Sequence, residues 1–479
     1  MVNPKYINRI FAPLFPPLVS ITIVLQLLLR KLFQFMKNRF PLLILLFFPF
    51  SLLAQSQTDT VPATLSLSQC IDYALRNQPA VRQAGIDEAI NERDINIATS
   101  AWLPQVNSAN SVQHYFKGGP VSAGSTTAAT GNGDIHNSSV LGIQASQVIY
   151  NNDVLLASKA SKFSREYYKQ NTASSRINVV SEVSKAFYDV LLSQKQLDII
   201  NEDIVRLQRS LKDAYARYQA GIVDKTDYKQ ATISLNNSTA IRKQTQEAIK
   251  SKTAYLKEQM GLTAGHPLNL QYDSTRFEHE AVIDTNQTLD YANRIEYQLL
   301  QTKKNIDLLN INYYKYGFLP SLSAVGAYNL NYFSNKTSTL YNQSIPNAYA
   351  GLTLSIPIFT GTKRLQNLAK ARLEVDRADL DITDTRNIIY TQYVQALANY
   401  KSNYTNWQLL KQNVDLAKDV YNVVSLQYRE GIKTYLDVIV SQADLRTAEL
   451  NYFNALFNVL SSKIDLEKAL GTLNPTTNN

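Results

Sequence analysis

Residues 197–221 read LDIINEDIVRLQRSLKDAYARYQAG, and residues 407–431 read WQLLKQNVDLAKDVYNVVSLQYREG. In the first, Leu197, Ile200, Ile204, Leu207, Leu211, Ala214 and Tyr218 step by 3, 4, 3, 4, 3, 4. In the second, Trp407, Leu410, Val414, Ala417, Tyr421, Val424 and Tyr428 step identically, 210 positions later. That spacing is the apolar seam of a coiled coil, which needs a partner helix along its length. Each stretch closes on a glycine.

Working outward, residues 152–220 and 362–430 contain neither Gly nor Pro, and Gly221 and Gly431 end these 69-residue runs. Two further runs, 222–260 and 432–470, are closed by Gly261 and Gly471. The order of 69 residues, a glycine, 39 residues and a glycine therefore occurs twice. A helix of the longer kind is roughly 100 Å long at 1.5 Å per residue, and it requires neighbours to bury its seam. Local matches support a tandem duplication: Arg217 to Ile222 aligns with Gln427 to Ile432, Asp227 with Asp437, Trp102-Leu103-Pro104 with Phe318-Leu319-Pro320, and Ser146–Asn151 with Ser355–Thr360.

A cytoskeletal or scaffold coiled coil would share the seam, but it does not account for the segments between the runs. In 321–333, Leu322, Ala324, Gly326, Tyr328, Leu330 and Tyr332 alternate with mostly polar residues. In 350–358, Leu352, Leu354, Ile356 and Ile358 do so; in 140–149, Leu141, Ile143, Ala145 and Ile149 do. A first strand at about 105–116 is assigned mainly from its repeat partner. Segments near ten residues with one apolar face suit tilted transmembrane strands; a soluble hairpin would alternate in the same way. Polar stretches 117–138 and 334–348 read as loops.

The expected organisation is a leader at 1–54, a first repeat at 55–261, a linker at 262–288, a second repeat at 289–471 and a tail at 472–479. Residues 41–54, PLLILLFFPFSLLA, follow a short basic stretch at Lys37 and Arg39 and end in small residues, which is the layout of a secretory signal. Translation is read as starting at Met36, with a true N-terminal anchor as the alternative. The leader holds six basic residues and no acidic one, so without it the net charge of +9 falls to +3. Nucleic-acid binding, which calls for a basic folded domain, loses its support.

Cys70 is the only cysteine, and His114, His136, His266 and His279 are scattered. No phosphate loop, nucleophile elbow or zinc motif is present, so neither an enzyme nor a cofactor is expected.

Four strands are too few to close a barrel, since an open edge in lipid leaves N–H and C=O groups unpaired at several kcal/mol each. At least two chains, with three favoured, must share one barrel that continues into a helical tube. The ordered set of features, from Leu65-Ser66-Leu67-Ser68-Gln69 and Asn77-Gln78-Pro79 through the two Tyr-x-x-Gly-Ile turns to Gly471, resembles the TolC-like outer-membrane efflux protein family.

That resemblance implies an α+β membrane protein: a homotrimer with a short transmembrane β-barrel, four strands per chain, on a long α-helical coiled-coil barrel in the periplasm. It also implies a periplasmic adaptor, an inner-membrane pump and outer-membrane lipid as partners, in tripartite efflux or type I secretion, with the channel itself passive. A structural coiled-coil protein of the envelope is the competing reading. Tyr218, Gly221, Ile222, Tyr428, Gly431 and Ile432 fall at the periplasmic tip, where they would meet the adaptor; the glycines also read as plain helix caps.

By the same resemblance, Tyr428 would contact Asp227, Lys433 would contact Thr226 and Asp227, and Asp437 would form an acidic ring at the aperture. A solvated Asp437 in the first turn of a helix fits equally well. Lys433 stands where an arginine can occur in the family, and Val440 where a second acid can, which weakens the implied latch and any cation block. Tyr150 and Phe359 are candidates for the aromatic girdle at the membrane boundary, or for packing at the strand–helix junction.

Overall fold

A computed structural model describes residues 64–117, 135–271 and 274–473, apart from the side chains of 274–276. The leader at 1–54, most of the 117–138 loop and the end of the tail lie outside the described residues. In chain order the elements are α1 (Leu67–Asn77), α2 (Pro79–Thr99), β1 (Gln105–His114), β2 (Asn137–Tyr150), α3 (Asn152–Gln219), α4 (Lys225–Met260), α5 (Ser274–Glu280), α6 (Ile295–Lys315), β3 (Ser321–Ser334), β4 (Ser344–Ser355), α7 (Lys363–Arg429) and α8 (Tyr435–Leu470). Among the described residues, no helix is long and apolar enough to cross a membrane.

Local chemistry sets many of the helix starts. Ser66 closes a capping box with Gln69 at the head of α1, and Pro79 opens α2 at its first turn. At the head of α3 the Asp153 N–H donates to Asn151 Oδ1 at 2.7 Å. The first seam is the buried one: Ile200, Ile204, Leu207 and Ala214 are all buried.

The four strands form one antiparallel sheet in the order β1-β2-β3-β4. Its register puts Val106, Leu141, Ile143, Ala145, Tyr328, Leu330, Leu352 and Leu354 on one face, and Asn107, Gln144, Ser146, Asn329, Asn347 and Thr353 on the other. β1 and β4 are the edges and are exposed throughout.

Several boundaries differ from expectation; the helices after the two glycine turns start at Lys225 and Tyr435 rather than at 222 and 432, and β1 ends at His114. β4 starts at Ser344 rather than 350, with Pro346 paired opposite Leu330 in the outermost strand of the chain's own sheet, a place where a sheet admits proline. It ends at Ser355, so Ile356, Ile358 and Phe359 lie beyond it. β2 starts earlier, at Asn137.

Helix packing follows the sheet. Next to it, α2 packs on α3, α3 on α6, and α6 on α7, in the order of the strands they adjoin. Away from it, α4 packs on α3, α3 on α8, and α8 on α7. Both rows end in open helices, as the sheet ends in open strands.

The linker segment lies against the middle of this assembly. Glu278 accepts hydrogen bonds from Lys411 Nζ at 2.7 Å and Tyr452 Oη at 2.5 Å, and Tyr400 Oη donates to the Ala281 carbonyl at 2.9 Å. Cys70 is fully buried in α1, and burial pushes its thiol up to about 12, which leaves it inert.

Candidate functional site

The end of the helices furthest from the sheet is built by two equivalent turns. Gly221 and Gly431 take the left-handed conformation, with φ of +73° and +76°. In each turn the glycine N–H bonds back to the tyrosine carbonyl, at 3.0 Å to Tyr218 and 3.1 Å to Tyr428. The following isoleucine reaches one residue further, from Ile222 to Arg217 at 2.9 Å and from Ile432 to Gln427 at 2.8 Å. This double bond is the Schellman cap, which absorbs the carbonyls orphaned at a helix end. Ile222 and Ile432 stay exposed, at 68% and 72%, so each turn shows an apolar side chain to the outside.

The helices that leave the turns start differently. At α8, Thr434 and Asp437 form a closed capping box, and these bonds hold the Asp437 carboxyl below its usual range. At α4 the matching pair is Asp224 and Asp227; no side-chain cap bond forms, and burial followed by repulsion from Asp224 pushes Asp227 up. Thr226 and Lys433 are exposed. Among the described residues of the single chain, no hydrogen bond or ion pair joins Lys433 to Thr226 or Asp227. The Tyr428 hydroxyl is buried without a hydrogen-bond partner there. Burial pushes Tyr428 up, opposed by Arg217, whose guanidinium lies 4.7 Å from the ring centre.

Just inside the turns, Ala214, Ala231 and Tyr435 are buried together, with Leu211, Tyr228, Tyr428 and Ile439 packed around them. Side chains from α3, α4, α7 and α8 thus meet at one level. Tyr435 and Ser210 share a hydroxyl–hydroxyl bond of 2.9 Å.

Further from the tip lies a polar knot. Asp203 on α3, 1% exposed, accepts from Ser238 Oγ on α4 at 2.8 Å and from Gln442 Nε2 on α8 at 2.8 Å. Arg446 on α8 donates to Asp203 Oδ2 at 3.3 Å and to Ser238 Oγ at 2.7 Å. The knot ties the first hairpin to the second.

The sequence matches the model of the outer membrane efflux protein family over residues 70–262 and 308–472, that is, over both repeats. The chain belongs to this family. It is therefore an outer-membrane protein of the efflux class. TolC of Vibrio cholerae is 23% identical over 421 residues, covering 85% of this chain and 91% of that protein. TolC of Escherichia coli is 23% identical over 454 residues, covering 92% and 87%. Among solved structures, the channel CusC matches with a TM-score of 0.68 at 18% identity, over 84% of this chain and 91% of that one. The open state of the Neisseria gonorrhoeae channel MtrE matches at 0.64 and 16%, over 86% and 91%. At such identities these structures speak for the fold.

Within the efflux-protein fold, the two boundary aromatics have different settings. Tyr150 ends β2 and lines a depression at the strand–helix junction, whereas Phe359 lies past the end of β4 and is almost fully exposed. The Asp203 knot was not anticipated from sequence. The sequence carries little sign of it: Asp203 stands beside the seam residues Ile200, Ile204 and Leu207, at a flanking position where an acid is ordinary, and only the structure shows it buried. Its partners Ser238, Gln442 and Arg446 are distant in sequence and carry no mark of their own.

Proposed function

We propose that three copies of this chain close a twelve-stranded barrel in the outer membrane and a helical tunnel in the periplasm, a passive exit duct for a tripartite efflux or type I secretion system. The observation that carries the reading is the pair of open rows. The sheet ends in unpaired β1 and β4, and the helix row ends in α2 and α7, in the same sequence order. An unpaired edge cannot persist in lipid, so β4 and α7 of one copy meet β1 and α2 of the next.

The sheet's mainly polar face then lines the bore, and the apolar face meets lipid. The turns at Gly221 and Gly431, with Ile222 and Ile432, Tyr218 and Tyr428 beside them, form the surface that receives a periplasmic adaptor; an inner-membrane pump supplies the energy. Contacts of Lys433 with Thr226 and Asp227 belong to the boundary between copies, and Asp437 faces the aperture from its capping box. Tyr150 and Phe359 mark the membrane boundary.

The test joins two measurements on protein extracted in mild detergent: its mass, and its conductance in planar bilayers. A trimer with stable conductance is expected. A lone subunit that spans lipid, or a trimer without conductance, would overturn the reading. Co-purification with an adaptor tests the tip assignment separately.

A further inference from the structure

A groove of about 420 Å³ lies where the sheet gives way to the helices, lined by Tyr150, Leu155, Leu156, Lys159, Tyr313 and Tyr316 among others. It runs between the first turns of α3 and the last turns of α6. The Asn152 side chain holds its floor by donating to the Tyr313 carbonyl at 3.0 Å. The Tyr313 hydroxyl donates to the Asp153 carboxylate, so the acid nearest the groove is already engaged.

A β-bulge decides which side of the sheet the groove continues. Val148 pairs with Ser323, but Tyr150 pairs with Leu322, leaving Ile149 as the extra residue. Without it, Tyr150 would fall on the other face; with it, Tyr150 shares the side of Leu322 and Leu354. The groove is therefore continuous with the apolar face.

Below the aromatic rim the charge is positive. Lys159, in the second turn of α3, lines the groove itself, Lys315 ends α6, and Lys363 and Arg364 begin α7. Lys159 lies about 10 Å along the axis from Asn152, the first residue of α3, at 1.5 Å per residue. Because helix side chains tilt toward the N-terminus, its ammonium leans back toward the sheet.

Apolar wall, tyrosine rim and leaning cation occur in the order met on descending from acyl chains to a phosphate. We propose that this groove holds one phospholipid of the inner leaflet, with an acyl chain along Leu322 and Leu354 and its phosphate on Lys159. The proposal rests on the outer-membrane reading above. A second copy is a poorer occupant, because α3 and α6 are inner members of the helix row and the open members are α2 and α7.

The test uses the full chain in vesicles of phosphatidylethanolamine and phosphatidylglycerol, re-extracted in mild detergent, with retained lipid counted by native mass spectrometry. Wild type is expected to keep up to one phospholipid per chain. Near a surface each lysine contributes about 1 kcal/mol to anionic lipid, so Lys159→Gln should lower phosphatidylglycerol retention about fivefold. Lys159→Arg should restore it, and Lys212→Glu, near the tip on the same helix, should leave it unchanged. A benzoyl-phenylalanine in place of Tyr316 should crosslink to lipid. Crosslinking to a second chain, or equal retention by wild type and Lys159→Gln, would overturn the proposal. A wild type that conducts yet keeps no lipid sinks the groove alone; a wild type that fails to insert sinks the channel reading and the groove with it.

Discussion

The carboxylate of Asp437 accepts hydrogen bonds from both the backbone N–H of Thr434, at 2.9 Å, and its hydroxyl, at 2.7 Å. α8 is therefore locked at its first turn, while α4, which begins with Asp224 and Asp227, is not. Thr434→Ala should fray α8 at a cost of about 1 kcal/mol, seen as faster amide exchange at 435–438, with α4 unaffected. The pH sign follows from the lowered carboxyl. Asp437's contribution is present above the ordinary aspartate range and is lost as pH falls through the depressed value. Protection at the head of α8, taken relative to the intrinsic exchange rate at each pH, should fall in acid for wild type and change little for Asp437→Asn.

The repeated glycines divide into two classes. At Gly431 an added Cβ meets nothing within 4 Å, so Gly431→Ala carries only the left-handed penalty of about 1–2 kcal/mol. At Gly471 the Cβ would stand 2.6 Å from the Asn293 carbonyl oxygen, which is backbone and cannot step aside. Gly471→Ala should therefore lower the thermal midpoint clearly more than Gly431→Ala. Equal midpoints would show that the contact with Asn293 is not close in solution.

Breaking the knot from one side should be costlier than removing it. Arg446→Met leaves the Asp203 carboxylate buried with Ser238 and Gln442 as its hydrogen-bond donors and Arg206 3.9 Å away. A loss of about 3 kcal/mol is expected. Adding Asp203→Leu to Arg446→Met should recover part of it, because the buried carboxylate left with only the more distant Arg206 as its cation is gone. Denaturation of the single and double variants in detergent gives the coupling; strict additivity would mean the two side chains do not interact.

Much of the fold can be read from repetition. The seam at Ile200, Ile204 and Leu207 is buried because period alone places those residues on one helix face, and the alternation at Leu322–Tyr332 survives as one face of β3. What was hidden depended on partners far away in sequence. Pro346 reads as a loop residue until β3 is known to flank only one side of it. α6 sits inside a run free of Gly and Pro, 268–316, that has no counterpart at the 210-residue offset, and α1 and α2 are parted only at Gln78 and Pro79, so the repeated glycine spacing does not announce them. The tip turns were legible because Gly221 and Gly431 need positive φ, whereas the Asp203 knot gathers residues up to 243 positions apart.

Glu449 provides the opposite pH sign to Asp437. Its carboxyl is pushed up by burial, offset in part by Arg206 and reinforced by Glu202 and Asp203, with Lys418 a weaker counterweight. A carboxyl raised by folding adds stability in its protonated form, fully present below the ordinary glutamate range and lost as pH rises through the raised value. At neutral pH the ionised Glu449 is then a burden. Its ion pair with Arg206 is long, at 3.9 Å, and Arg206 keeps Glu202 at 3.8 Å and Asp203 at 3.9 Å when Glu449 is neutralised. Glu449→Gln should therefore raise the thermal midpoint at neutral pH, and the gain should shrink as pH is lowered and the wild-type carboxyl takes up its proton. A lower midpoint for the variant at neutral pH would mean that the Arg206 pair outweighs the cost of burying the charge.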